Sequence, residues 1–139
     1  MTADEFYDER RIAIVPMGFC FPGHDASGGD LPPRRECAGL WRERLIVLLP
    51  EVSLILLVGS YAQQWHLQKA GRARSLVMTE TVRNWRELLE CGIGPALMPL
   101  PHPSWRNNGW LKRNPWFEAR VVPELKKRIR VLLEGGNGK

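Results

Sequence analysis

The sequence predicts a three-layer α/β fold with a short parallel sheet, and three observations support this. Two apolar runs of strand length occupy residues 52–58 and 96–100. Stretches with apolar residues at helical spacing separate and follow these runs. Gly59-Ser60 leads the first run directly into a helical pattern, as in the βα units of parallel sheets with right-handed crossovers. We therefore expect a single domain covering residues 1–139, with helices on both faces of the sheet.

The first half of the chain begins with a predicted strand. Residues 11–17 are rich in Ile and Val and end at Gly18, which favours a buried strand. Residues 21–33 contain FPG, SGG and PP, the densest turn chemistry in the sequence, and predict a loop. Residues 34–49 predict an amphipathic helix whose apolar positions are Cys37, Leu40, Trp41, Leu45 and Leu48.

The second half alternates strands and helices. We expect Thr79 or Thr81 to cap the second of its helices and Asn114 to cap the last. Pro123 is expected to kink that last helix or divide it in two. In parallel α/β sheets, ligands bind beyond the carboxyl ends of the strands. The predicted elements are a strand buried on both faces at 52–58, helices at 61–67 and 79–90, a strand at 96–100 and a helix at 114–133.

Composition narrows the class of protein. Apolar residues make up 44% and charged residues 25% of the 139 residues, which disfavours a disordered chain. The longest apolar stretch, 45–58, is interrupted by Pro50 and Glu51 and is shorter than the roughly 20 residues that cross a bilayer. The first residues carry acids where a secretory signal carries bases. We therefore expect a soluble cytoplasmic protein without a membrane partner.

The net charge of +5 is concentrated in the last third of the chain. Residues 101–139 hold nine Lys or Arg against three Glu, whereas the first hundred residues are close to neutral. A polyanion such as DNA is the partner that this pattern indicates. The alternative, a solvated basic helix face without a partner, is equally compatible with charge alone.

The stretch PHPSWRNNGW, residues 101–110, is the most informative part of the sequence. Prolines at 99, 101 and 103 stiffen a loop that begins at a strand end, so this loop could present the imidazole of His102. The alternative is a structural histidine bonded to a nearby carbonyl. Trp105 and Trp110 are either core anchors or, beside several cations, part of a surface that stacks on nucleic acid.

Two motifs in this order resemble the uracil-DNA glycosylase superfamily. They are LLVGSYAQ at 56–63 and HPS at 102–104, supported by the longer stretches FPGHDASGGDLPPRREC and PLPHPSWRNNGWLKRNPWFE. The resemblance covers the chain from Phe6 onward and implies an enzyme that flips uracil out of DNA and hydrolyses its N-glycosidic bond. It also implies that DNA is the partner.

The resemblance assigns roles to residues of the HPS loop. His102 takes the place of the histidine that donates a hydrogen bond to the uracil carbonyl as negative charge builds on the departing base. Ser104 would bind a phosphate or shape the turn, and Trp105 or Arg106 would wedge into the gap left by the flipped base. The expected DNA-binding residues are Ser104, Trp105, Arg106, Asn107, Lys112 and Arg113.

The sequence also departs from the family pattern. It contains neither the Gly-x-x-Pro-Gly nor the Gly-Gln-Asp-Pro type of loop that positions the attacking water, and the base-reading Asn of several relatives is replaced by residues 15–17. We expect that roughly the first third of the fold is absent. The chain would then be a weak or inactive glycosylase by itself, and it would fold marginally, self-associate or need the absent segment.

Cys20 and Cys37 are separated by sixteen residues, close to the spacing of the last two [4Fe-4S] ligands in cluster-bearing relatives. Two thiolates do not hold such a cluster, so we expect no cofactor in this chain alone and a cluster only in a full-length relative. The alternative is that Cys37 is a core residue. Cys91 has no counterpart in the motif and is interpreted as structural.

Two further hypotheses compete with the glycosylase. One is a DNA-binding module that keeps the basic HPS surface without catalysis. The other is an unrelated α/β enzyme in which His102 works with an Asp or Glu partner.

Overall fold

A computed structural model describes residues 1–49, 51–71, 77–90, 92 and 94–135. It confirms the α/β class and the short parallel sheet. Strands β1 (Leu54–Val58) and β2 (Ala96–Leu100) pair in parallel, with Leu54 opposite Ala96 and Val58 opposite Leu100. Both carboxyl ends therefore meet at one edge of the sheet, where the loop after β2 begins.

The helical segments follow the predicted order. The backbone leaves β1 through Gly59, whose φ of +82° lies in the left-handed region that favours glycine. The α-helices are α1 (Ala3–Phe6), α2 (Arg35–Cys37), α3 (Glu43–Val47), α4 (Gly59–Lys69), α5 (Met78–Arg83), α6 (Trp85–Leu89), α7 (Asn108–Arg113) and α8 (Val122–Gly135). Two π-helical turns occupy Ala38–Arg42 and Phe117–Val121, and a 3₁₀ turn occupies Trp105–Asn107.

The described residues divide into two compact units. The first contains Met1–Ala13 and Ser53–Lys139, and its core packs apolar side chains of α5, α6, β2 and the segments after the HPS loop. This core fixes β2, and so fixes where the HPS loop starts. Its fully packed members are Val82, Trp85, Leu89, Met98, Trp110, Phe117 and Val121.

The second unit, Ile14–Val52, contains α2, the first π-helical turn and α3. Its buried residues include Arg42, whose Nη1 donates to the carbonyl oxygens of Pro16 at 2.8 Å and Val15 at 3.4 Å. Burial lowers the pKa of Arg42. The loop predicted at 21–33 is confirmed, with a turn closed by the bridge between His24 and Asp30.

The predicted strand at 11–17 is wrong. The backbone N–H groups of Arg11 and Ile12 both donate to the carbonyl of Asp8, which forms a turn, and Arg42 occupies the carbonyls of Val15 and Pro16. These groups are therefore not available to a strand ladder. Ile14 is 65% exposed, so the apolar run is not buried either.

Two predicted burial patterns also need correction. In β1, Leu57 is buried but Leu56 and Val58 are each more than a third exposed, so this strand is covered on one face. The helix predicted at 34–49 forms over 35–47, yet Leu40 and Trp41 of its apolar stripe are exposed. The π-helical turn has more residues per turn than an α-helix, so it moves later side chains off the stripe that an α-helical period predicts.

The predicted helix caps are wrong as well. Helix α5 follows Val77 without a side-chain cap, and the run 79–90 breaks at Asn84. Asn114 does not cap the last helix, because its Nδ2 donates to the Trp110 carbonyl and its Oδ1 accepts from Trp116 Nε1. Just before Pro123, the last helical segment changes from the π-helical turn that ends at Val121 to α8, which begins at Val122.

Candidate functional site

The candidate site lies where β1 and β2 end. A Cβ placed on Gly59 would lie 3.4 Å from the Cβ of His102 and 3.6 Å from its Cδ2, so the imidazole packs directly over the glycine. The Gly59 turn thus does two things: it admits the left-handed backbone and leaves room for the His102 ring.

Hydrogen bonds close the loop that carries His102. The carbonyl oxygen of His102 accepts from the backbone N–H of Ser104 at 2.8 Å and from Nδ2 of Asn107 at 2.6 Å. Pro101 and Pro103 restrict the backbone on either side. The loop is therefore stiff around His102, as the prolines predicted. The hydrogen bond from Asn107 to the His102 carbonyl was not predicted from the sequence.

The imidazole itself is free to meet a ligand. His102 is exposed, and its ring has no hydrogen-bond or ion-pair partner in the part of the chain that the structure describes. The structure thus does not support the alternative of a structural histidine bonded to a carbonyl. It also provides no carboxylate partner among the described residues, which the unrelated-enzyme hypothesis requires.

Ser104 shapes the turn after His102. Its Oγ accepts from the backbone N–H of Arg106 at 3.3 Å and so caps the 3₁₀ turn Trp105–Asn107. A hydroxyl that accepts one hydrogen bond still has its proton to donate. No described residue accepts that proton, so the Ser104 hydroxyl is available to a phosphate oxygen.

The two tryptophans have different environments. Trp110 is buried, and its Nε1 donates to Thr79 Oγ1 at 2.7 Å, so it is a core anchor. Trp105 is 77% exposed, with the Arg106 guanidinium 5.7 Å from its ring centroid. Only Trp105 can therefore belong to a stacking or wedging surface.

The cations next to the HPS loop differ from the ion-paired cations of α8. Arg106, Lys112 and Arg113 lie in the 3₁₀ turn and α7, which follow His102 directly, and they make no ion pair among the described residues. On α8, Arg128 pairs with Glu124 at 2.8 Å, and Arg130 pairs with Glu5 at 3.3 Å. The free positive charge next to the HPS loop therefore lies on Arg106, Lys112 and Arg113, which we call the loop cations.

Cys20 and Cys37 are brought together within the second unit. The pKa of Cys20 is raised above its ordinary value, first by a hydrogen bond that the Cys20 thiol donates to Cys37 and then by the charge of Cys37. Cys20 is exposed and Cys37 is buried, and both are free thiols. The described residues contain no group of three or more metal-ligating side chains, so these two cysteines do not by themselves fit a four-thiolate cluster. Cys91 lies outside the described residues.

The cysteine contact has a measurable consequence. Because the raised pKa reduces the thiolate fraction at pH 8, we expect Cys20 to react with iodoacetamide more slowly than an unperturbed thiol. Cys37→Ala removes the two largest causes of the raised pKa of Cys20, so that pKa should fall and alkylation should accelerate. Rates are measured by mass spectrometry against pH, with Cys91→Ser in both proteins. Equal rates would show that the thiols are not in contact.

Gly59→Ala tests the close approach to His102. An alanine in this left-handed conformation costs about 1–2 kcal/mol, and its methyl group would press on the His102 ring. We expect a loss of that size in the free energy of unfolding, measured with urea. Gly109→Ala is the matched control, since a Cβ there meets nothing and alanine favours helix. A variant as stable as wild type would contradict the described geometry.

None of the helices in the described part of the chain has both the length and the apolar character needed to cross a lipid bilayer.

The family comparison covers both strands, the Gly59 turn, the HPS loop and the loop cations. The model of the family described as the uracil DNA glycosylase superfamily matches residues 2–126. This match spans most of the 139 residues and includes every element that forms the candidate site. The chain therefore belongs to the uracil DNA glycosylase superfamily, and its function is DNA glycosylase-like.

Proposed function

We propose that this protein hydrolyses the N-glycosidic bond of uracil flipped out of DNA, with His102 acting on the departing base. The observation that carries the proposal is the exposed imidazole of His102, packed on Gly59 and free of partners among the described residues. A rigidly held donor without an internal partner is what a reaction that develops negative charge on a ligand requires. Family membership supplies the reaction class.

The chemistry explains why a donor is needed there. Water adds to C1′ of the deoxyribose as the bond from C1′ to the base nitrogen breaks. The electron pair of that bond stays on the base, and negative charge spreads to its carbonyl oxygen. A hydrogen bond from His102 to that oxygen becomes stronger as the charge develops, so it lowers the barrier more than it strengthens binding of the substrate. A proton from the attacking water finally neutralises the base.

The DNA backbone would be held by the groups around His102. The free hydroxyl proton of Ser104 suits a phosphate oxygen, and the exposed Trp105 ring suits the space that a flipped nucleotide leaves. The loop cations add attraction that does not depend on sequence. Asn107 belongs to the same surface, although its Nδ2 already serves the His102 carbonyl.

The rate of uracil excision that we propose for this chain is low. The sequence contains neither loop type that positions the attacking water in the resembled family. His102 supplies only the leaving-group part of the barrier reduction, so nucleophile placement contributes little here. A slow glycosylase is therefore proposed, and a DNA-binding module without catalysis is the second candidate because the loop cations and Trp105 serve either function.

The test uses the purified chain in excess over an oligonucleotide with one uracil. Abasic sites are converted to strand breaks with alkali, and thymine in the same position is the control. Slow cleavage confined to the uracil strand is the expected result. Salt-dependent DNA binding without any break after prolonged incubation would favour the binding module. Absence of both binding and cleavage would contradict both candidates.

A further inference from the structure

Helix α4, which follows β1, carries a polar side chain that is almost completely buried. Gln63, in α4, is only 2% exposed. Its Nε2 donates to the carbonyl oxygen of Leu100 at 2.9 Å and to that of Leu57 at 3.3 Å. Leu100 is the last residue of β2, and Leu57 is the next-to-last residue of β1. One carboxamide therefore joins the ends of both strands.

The orientation of this carboxamide follows from its neighbours. Rotating the amide by 180° would point Oε1 at two carbonyl oxygens, so Nε2 must face them. Oε1 is then buried with no hydrogen-bond partner among the described residues. A buried acceptor without a donor costs free energy, and an apolar side chain of similar size would avoid that cost. Packing alone therefore does not account for a glutamine at this position.

The hydrogen bond from Gln63 reaches the carbonyl of Leu100, which lies two residues before His102 in the chain. Leu100 is followed by Pro101 and then by His102, whose ring packs over Gly59, the first residue of α4. Gln63 thus ties the start of the HPS loop to the same helix against which the imidazole rests. Displacing the Leu100 carbonyl would change the position of His102 relative to Gly59.

We infer that Gln63 is a positioning residue, which holds the His102 imidazole in its reactive place through the carbonyls of Leu100 and Leu57. The catalytic part of this inference rests on the proposed function, and the positional part does not. A displacement of about 1 Å at a reacting group can reduce a rate by as much as a hundredfold. A residue that only positions His102 can therefore change the rate of the reaction.

The first test compares Gln63→Met with Gln64→Met. Methionine has a similar length and no N–H donor. Gln64 lies one residue further along the same helix and its side chain makes no hydrogen bond to another described residue. NMR signals of the His102 ring are recorded in the free proteins. We expect them to shift or broaden in Gln63→Met and to stay as in wild type in Gln64→Met. Unchanged His102 signals in folded Gln63→Met would overturn the inference.

The second test measures uracil excision with enzyme in excess. We expect Gln63→Met to lower the single-turnover rate by about tenfold to a hundredfold while the Kd for DNA stays within about twofold. A purely structural role would change stability without this separation of rate from binding. If the wild-type chain excises nothing, the proposed function fails while the NMR comparison still decides the role of Gln63.

Gln63→Glu provides a second variant in case Gln63→Met does not fold. A protonated carboxyl group can donate to Leu100, whereas an ionised one repels both carbonyls. We expect wild-type-like His102 signals at low pH and displaced ones as the carboxyl group ionises, with no such difference in Gln64→Glu.

Hydrogen exchange in the wild-type protein provides a test without substitution. Side-chain amide protons of Gln63 should exchange more slowly than those of Gln64, and equal rates would overturn the inference.

Discussion

His102→Ala should lower the rate of uracil excision by about 10²- to 10³-fold, because a preorganised donor to a developing anion contributes on that scale. The substitution removes a ring that is exposed and has no partner among the described residues, so the fold should lose little stability. The rate is measured under single-turnover conditions with a uracil-containing oligonucleotide. DNA affinity should stay close to wild type, since the lost interaction acts mainly in the transition state.

His24→Ala is the matched control for this experiment. His24 is also exposed, belongs to the second unit, and its Nδ1 lies 3.3 Å from Oδ1 of Asp30. It should leave excision unchanged. His102→Gln, which keeps an N–H donor at the end of the side chain, should recover part of the lost rate. Equal rates for His102→Ala and wild type would contradict the assigned role of His102.

Replacing the loop cations, Arg106, Lys112 and Arg113, with Ala should weaken DNA binding by about 10²-fold at 0.1 M salt. Each phosphate contact contributes about 0.9 to the slope of log affinity against log salt, so losing three contacts should lower that slope by nearly three. The three side chains make no ion pair among the described residues, which leaves their charge available to phosphates. Fluorescence anisotropy with labelled duplex DNA measures both quantities.

The control removes the same net charge from the last helical segment. Arg120, Lys126 and Lys127 are exposed there, in the second π-helical turn and α8. Their replacement with Ala should change the slope by much less than replacement of the loop cations. Equal slopes for the two triple variants would mean that positive charge acts without regard to place. A salt-independent wild-type affinity would contradict electrostatic binding altogether.

Of the two polar residues that matter most in the site, His102 was predicted from the sequence and Gln63 was not. His102 and its proline-stiffened loop are local features, so their pattern was sufficient to locate them. Gln63 was missed because its importance depends on the carbonyl of Leu100, which is 37 residues away along the chain. The available signal was a glutamine in the helix that directly follows a strand, and using that signal required knowing that β1 and β2 are neighbours.

The sequence by itself determined the two strands, the Gly59 turn and the loop after β2, because apolar runs, glycine and proline act through backbone preferences of neighbouring residues. Only the tertiary structure decided that residues 15 and 16 do not join a strand, since Arg42, 26 residues beyond Pro16, binds a carbonyl that a strand would need. It also buried Trp110 and exposed Trp105, two residues of the same type five positions apart. Composition cannot separate such residues, because burial depends on which distant side chains pack against them.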